Sequence, residues 1–183
     1  MKDCILFFDE KNKYFDYAIS KIKSKGPVAE FGVWTGTSIN YISSLLLDSI
    51  VYGFDSFNGL EEDWNGFNKG HFSINGDTPN VNENVILVKG SFKDSVKDYV
   101  EKNNLYFSFI NFDSDTYEST KCVLDAIGPE RITPGTIISF DEYFGYWGWE
   151  NHEYRAWQEF CNLNYIKYKY LAINHMCVLL EVL

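Results

Sequence analysis

The chain has no run approaching the ~20 consecutive apolar residues that cross a bilayer. Its opening, Met1-Lys2-Asp3-Cys4, carries an acid and no long apolar stretch, so it does not read as a signal peptide. A cytoplasmic protein with no membrane partner is expected. Positive charge is scarce: 16 Lys and Arg stand against 26 Asp and Glu, a formal net charge of -10. That balance argues against a nucleic-acid partner, because phosphate backbones are bound by Lys/Arg surfaces. It leaves room for a bound cation and for neutral acceptors such as sugars or phenols. Cys4, Cys122, Cys161 and Cys177 are scattered with no CxxC pair, so free, mostly buried thiols are expected rather than disulfides. Apolar residues make up 45% of the 183 residues and aromatics 18%, enough to bury the core of a single domain.

Hydrophobic spacing divides the chain into alternating strands and helices. Tyr14, Phe15, Ala18 and Ile22 mark a helix over 11–25, stopped by Gly26-Pro27. A short apolar strand over 28–31 enters a glycine turn, and a helix follows from Thr37 with Ile39, Ile42, Leu45 and Leu46 on one face. Residues 50–54 form a second strand, closed by Asp55. Residues 56–84 break the pattern with Gly59, Gly66, Gly70, Gly76, Pro79 and many Asn. Trp64, Phe67 and Phe72 look exposed there, which favours a lid-like insertion.

Alternation then resumes. The strands fall at 85–88, 105–112 and 136–140. Helices follow through Phe92, Val96, Tyr99 and Val100, over 116–127, and through Tyr154, Trp157, Phe160 and Cys161. Asp115 and Glu118 resemble a capping box at the start of the 116–127 helix. Residues 165–171 and 176–182, around Asn174-His175, read as a terminal hairpin. The pattern predicts one α/β domain, a doubly wound, mostly parallel seven-stranded sheet with an antiparallel C-terminal hairpin.

In such sheets ligands bind outside the carboxyl ends of the strands, where strand order reverses. Five strand ends here carry polar groups: Glu30 to Gly36, Asp55, Ser91, Asp113 with Asp115, and Asp141-Glu142. In Glu30-Phe31-Gly32-Val33-Trp34-Thr35-Gly36-Thr37-Ser38 the glycines allow a sharp turn close to a ligand. The spacing is neither GxGxxG nor GxxxxGK[ST], so a phosphate cradle fits poorly. An acid two residues before Gly32 suits a ligand with a cationic amino-acid end, while a surface Glu in an ordinary turn is the alternative. Asp55 can accept the hydroxyls of a ribose or merely cap a turn. Asp113, Asp115, Asp141 and Glu142 would repel one another unless solvated, protonated or neutralised by a hard cation such as Mg²⁺ or Ca²⁺. Such a cation can lower the pKa of a substrate hydroxyl. The alternative reading is helix capping. His152, near Tyr146, Trp147 and Trp149, is a candidate general base or a hydrogen-bonded surface His. His71 and His175 are the other histidines, and His175 is expected to be structural.

These residues carry a family resemblance. The run Glu30 to Ser38 resembles the first motif of class I S-adenosylmethionine-dependent methyltransferases. Tyr52-Gly-Phe-Asp55-Ser56-Phe-Asn-Gly59-Leu60, Phe112-Asp113-Ser-Asp115-Thr-Tyr117-Glu118-Ser119-Thr120 and Pro134-Gly135-Thr-Ile-Ile-Ser-Phe-Asp141-Glu142-Tyr143 resemble motifs of the macrocin O-methyltransferase family. The resemblance runs from about residue 28 to 160. It implies a Rossmann-like methyltransferase fold with S-adenosylmethionine as cofactor. Glu30, Gly32, Thr35, Gly36 and Ser38 would lie around the methionine part, Asp55 and Ser56 at the ribose, and Ser91 and Phe92 at the adenine. It also implies a divalent metal, Mg²⁺ by expectation, held by Asp113, Asp141 and Glu142, with Asp113 next to the cofactor and to the acceptor hydroxyl. Two departures stand out: Glu142 occupies a place where the family usually has Asp, and the chain is shorter than typical members. The expected function is methyl transfer to a hydroxyl of a small molecule or sugar. The rivals are an NAD-dependent oxidoreductase and a non-catalytic nucleoside-binding protein. The aromatic richness is compatible with a homo-oligomer surface.

Overall fold

The computed structural model describes residues 5–24 and 26–183, so Cys4 lies outside the described residues. In chain order the strands are β1 (Leu6–Phe7), β2 (Val28–Phe31), β3 (Val51–Asp55), β4 (Val85–Lys89), β5 (Phe109–Phe112), β6 (Ile137–Phe140), β7 (Tyr168–Asn174) and β8 (Cys177–Val182). The helices are α1 (Lys11–Ser20), α2 (Thr37–Ser44), α3 (Phe92–Lys102), α4 (Tyr117–Ile127) and α5 (Glu153–Asn164). One sheet orders the strands β1-β7-β8-β6-β5-β2-β3-β4. Every pairing is parallel except those of β8, which runs antiparallel to both neighbours.

The sheet has eight strands rather than the expected seven. The addition is β1, two residues beside β7, too short to leave a periodic signal. The fifth strand begins at Phe109 rather than 105. Leu105 and Phe107 are buried but sit outside the parallel ladder. Helix α1 ends at Ser20, short of the predicted range.

Strands β2, β5 and β6 are buried along their whole length, as parallel strands covered on both faces must be. Their side chains alternate. Ala29, Phe31, Ile110, Phe112, Ile138 and Phe140 face the layer of α3, α4 and α5. Val28, Phe109 and Ile137 face the layer of α1 and α2. Near the carboxyl ends of the strands, in register, Phe54, Phe31, Phe112 and Phe140 form a row of stacked rings across four strands. Their centroid spacings are 4.9, 5.6 and 4.8 Å. One position earlier, on the opposite face, Glu30, Asn111 and Ser139 form a buried polar row. Asn111 donates to Glu30 at 2.8 Å, and the Tyr14 hydroxyl bonds the Ser139 hydroxyl at 2.9 Å. These bonds satisfy part of the polar groups that the three strand interiors bury.

Residues 56–84 contain no helix or strand beyond one bridge between Trp64 and Phe67. Trp64 is buried, only 5% exposed, against Tyr146 and His152, contrary to its exposed appearance in sequence. Phe57 anchors the segment in the core on the α1–α2 face. Its far end is tied to α2 and the loop after it: the Asn84 amide donates to the carbonyls of Ser43, Leu46 and Ser49. Among the described residues Cys122, Cys161 and Cys177 are free, and no helix is long and apolar enough to cross a membrane.

Candidate active site

The chain runs outward from β2 through β3 to β4, then returns to β5 on the other side of β2. Loops leaving β2 and β5 therefore diverge, and a cleft of about 460 Å³ opens between them at the strands' carboxyl ends.

The turn after β2 is held by its own backbone. Gly32 has φ of 93°, and a Cβ on it would stand 1.7 Å from the Asp113 carbonyl oxygen. The two loops thus touch at a point where only glycine fits. Asp55 clamps the same turn from β3. Its Oδ2 accepts from the N–H of Val33 (2.7 Å) and Trp34 (2.8 Å), and its Oδ1 from Phe57 N–H (2.7 Å). A carboxylate offers about four acceptor positions. Three are taken by backbone N–H groups, so Oδ1 keeps room for a further donor.

Gly32, Thr35, Ser38, Asp55, Ser56, Ser91, Phe92, Asp113, Asp141 and Glu142 all line this cleft. Gly36, with φ of 83°, caps α2 just behind the wall. Ser91 also caps α3, accepting from Asp94 N–H. Glu30 lies beneath the lining, fully buried, with its Oε1 paired to Asn111 and its Oε2 without a partner. Burial pushes its carboxyl up to about 8, and the Asp113 charge adds to the rise.

Asp113, Asp141 and Glu142 bring one carboxylate oxygen each to within 4.8 Å of one another. Burial is the main cause of the shift for each group that moves. Asp113 rises to about 6, with the Lys11 charge opposing. Asp115 rises to about 8, with Asp113 and Asp55 adding to it. Glu142 is held well above the carboxylate range, again helped by Asp113 and Asp115. Glu142 Oε2 is buried and has no partner. Hard oxygen donors under-supplied with positive charge, one of them orphaned, fit a divalent cation such as Mg²⁺.

Some assignments change. Asp115 does not cap α4: it has φ of 62° and lines the cleft. Thr116 is the cap, its side chain accepting from Ser119 N–H at 3.2 Å. His152 does not line the cleft. It lies half-buried against Trp64 and Tyr146 with Nδ1 unpartnered, and burial lowers its pKa. His71 stacks on Phe67 at 4.4 Å, and His175 Nε2 lies 3.2 Å from the Asp9 carbonyl.

Other residues had no signal in sequence. Glu153, fully buried on α5, accepts Glu142 N–H at 3.0 Å and so fixes the loop after β6 from behind. Lys11, Asn12 and Phe15 of α1 form one wall of the cleft. Trp34 and Phe72 meet at 5.3 Å on its rim, one from the glycine turn and one from the 56–84 segment.

Residues 29–143 match the sequence profile of a methyltransferase domain. The fold is similar to that of the calicheamicin methyltransferase CalS11, at 23% identity and a TM-score of 0.78, covering 93% of this chain and 77% of that one. MycE, a methyltransferase of mycinamycin biosynthesis solved with Mg and SAH, superposes at 16% identity and a TM-score of 0.59. The match covers 93% of this chain and 48% of MycE. An O-methyltransferase from Bacillus cereus in complex with SAH gives 16% identity and a TM-score of 0.59, over 94% of this chain and 80% of that one. At these identities the likeness establishes the fold. No curated protein sequence matches.

Proposed function

The chain belongs to the methyltransferase-domain family matched over residues 29–143, and on that premise we propose that it moves a methyl group from S-adenosylmethionine to a hydroxyl oxygen of a small-molecule or sugar acceptor, assisted by a divalent cation. One observation carries the reading. The glycine turn, the Asp55 clamp and the Asp113–Asp141–Glu142 cluster converge on a single cleft of ligand size.

S-adenosylmethionine supplies the methyl on a sulfonium centre, a cation that suits the acidic lining. A divalent ion held by Asp113, Asp141 and Glu142 supplies charge that lowers the pKa of an acceptor hydroxyl. The Gly32 turn brings backbone close to the ligand, and Asp55 keeps one acceptor position for a ribose hydroxyl while fixing that turn. Asp113, raised only to about 6, is ionised at neutral pH and can receive the hydroxyl proton. Alignment of two reactants in such a site lowers a barrier by roughly 7–11 kcal/mol.

The reading is supported by two proteins of similar fold: MycE, solved with Mg and SAH, and CalS11, a TDP-rhamnose 3'-O-methyltransferase. Calorimetric titration with S-adenosylhomocysteine, with and without Mg²⁺ and against an NADH control, tests it. Binding of S-adenosylhomocysteine but not NADH is expected, and no binding of S-adenosylhomocysteine overturns it. Asp113→Asn is expected to retain that binding while turnover falls by about 10²–10⁴; full turnover in the variant excludes Asp113 as the proton acceptor.

A further inference from the structure

The acidic cleft is lined by one basic side chain among the described residues, Lys11, which opens α1. Its ammonium is ion-paired with Asp141 Oδ1 and donates to Cys177 Sγ at 2.9 Å. Cys177 Sγ in turn lies 3.1 Å from the same Asp141 oxygen. The lysine is thus held at one of the three oxygens that converge for a cation. Glu142, across the cluster and only 7% exposed, keeps Oε2 unpartnered. A single positive charge satisfies one corner of the cluster and leaves the other unsupplied.

We propose that Lys11 is a tethered cation that competes with the divalent ion for Asp141, so that the ion binds only as Lys11 withdraws from the cluster. This rests on the metal reading given above. An ammonium and a dication sharing one carboxylate oxygen would repel at close range with little water between them. The lysine has somewhere to go. Its side chain is 34% exposed, and its four-carbon stem is flexible. Withdrawal also concerns the acceptor, because Asn12 and Phe15 of the same helix line the cleft. In the metal-free protein Lys11 offsets part of the carboxylate repulsion and holds the start of α1 against the loop after β6. On loading, the ion takes that place and frees the helix start. Metal affinity and the position of one cleft wall are therefore linked.

Mn²⁺ titration followed by electron paramagnetic resonance tests this without reference to turnover. Lys11→Met is expected to bind Mn²⁺ about tenfold or more tightly than the wild type, since a competing charge has been removed. The gain should vanish in Lys11→Met/Asp141→Asn. In thermal melts Lys11→Met should unfold earlier than wild type in EDTA and gain more from Mn²⁺. Lys11→Gln, which keeps polarity without charge, repeats the test should the Met variant fold poorly. Equal or weaker Mn²⁺ affinity in the folded Lys11 variants, or no Mn²⁺ binding at all, overturns the inference. Calorimetry with S-adenosylhomocysteine on the same samples separates the two outcomes: cofactor binding retained without a gain in Mn²⁺ affinity sinks the Lys11 role and leaves methyl transfer standing.

Discussion

Gly32 shows how little tolerance the site has at a single residue. A methyl group there would overlap the Asp113 carbonyl, and the positive φ disfavours any side chain. Gly32→Ala is expected to cost more than about 3 kcal/mol, because the loop bearing Asp113 must move. Gly66→Ala is the control: its φ is 88° and nothing lies within 4 Å of the added carbon. The cost there should be only the left-handed strain, about 1–2 kcal/mol. Urea denaturation of both variants measures the difference, and equal costs would remove the clash from the account. The cluster residues obey a related logic. Glu30, Glu142 and Glu153 are buried carboxyls, each with one oxygen unpartnered. Burial keeps them proton-hungry until something positive arrives.

At the scale of elements, the start of α4 separates two neighbouring acceptors. Thr116→Ala should destabilise by about 1 kcal/mol through loss of the cap to Ser119. Asp115→Asn should instead raise the melting temperature of the metal-free protein, because Asp115 is not a cap and adds repulsion to the cluster. Thermal melts in EDTA compare the two; a loss of stability in Asp115→Asn would restore it as a cap. This is also where sequence reading slipped. Asp115 and Thr116 are both favoured N-cap residues one position apart, Glu118 completes a box only with Asp115, and the backbone nonetheless selects Thr116. The buried strands were legible because parallel strands covered on both faces appear as unbroken apolar runs. The strand-end acids were legible because each follows such a run directly. Trp64 was misjudged because its cover, Tyr146 and His152, comes from about 80 residues further along the chain. Lys11 and Glu153 were invisible as site residues for the same reason: α1 reaches the cleft, and α5 the loop behind it, through tertiary packing, which leaves no local signal.

Across the whole molecule the raised carboxyls set a pH dependence. Glu30 and Asp115 titrate near 8 in the folded chain and Asp113 near 6, against ordinary values of 4.5 and 3.8. Between pH 4 and 8 the folded state therefore holds more protons than the unfolded one, and its stability falls as pH rises through that window. The metal-free protein should melt at a higher temperature at pH 5.5 than at pH 8.5. Saturating Mg²⁺, by favouring the ionised carboxylates, should flatten the slope. Calorimetric melts in EDTA and in Mg²⁺ check both, and a melting temperature that climbs with pH in EDTA would contradict the assignment. The row of stacked rings at Phe54, Phe31, Phe112 and Phe140 bears on the molecule's history as well as its stability. Each ring immediately precedes a cleft residue, Asp55, Gly32, Asp113 and Asp141 in turn. Shrinking one ring loosens its neighbours and shifts the height of the acid beyond it, so changes at these positions are costly singly and tolerable in compensated sets. Across homologues the row should drift as a correlated block, and covariation among the four columns is the trace it would leave.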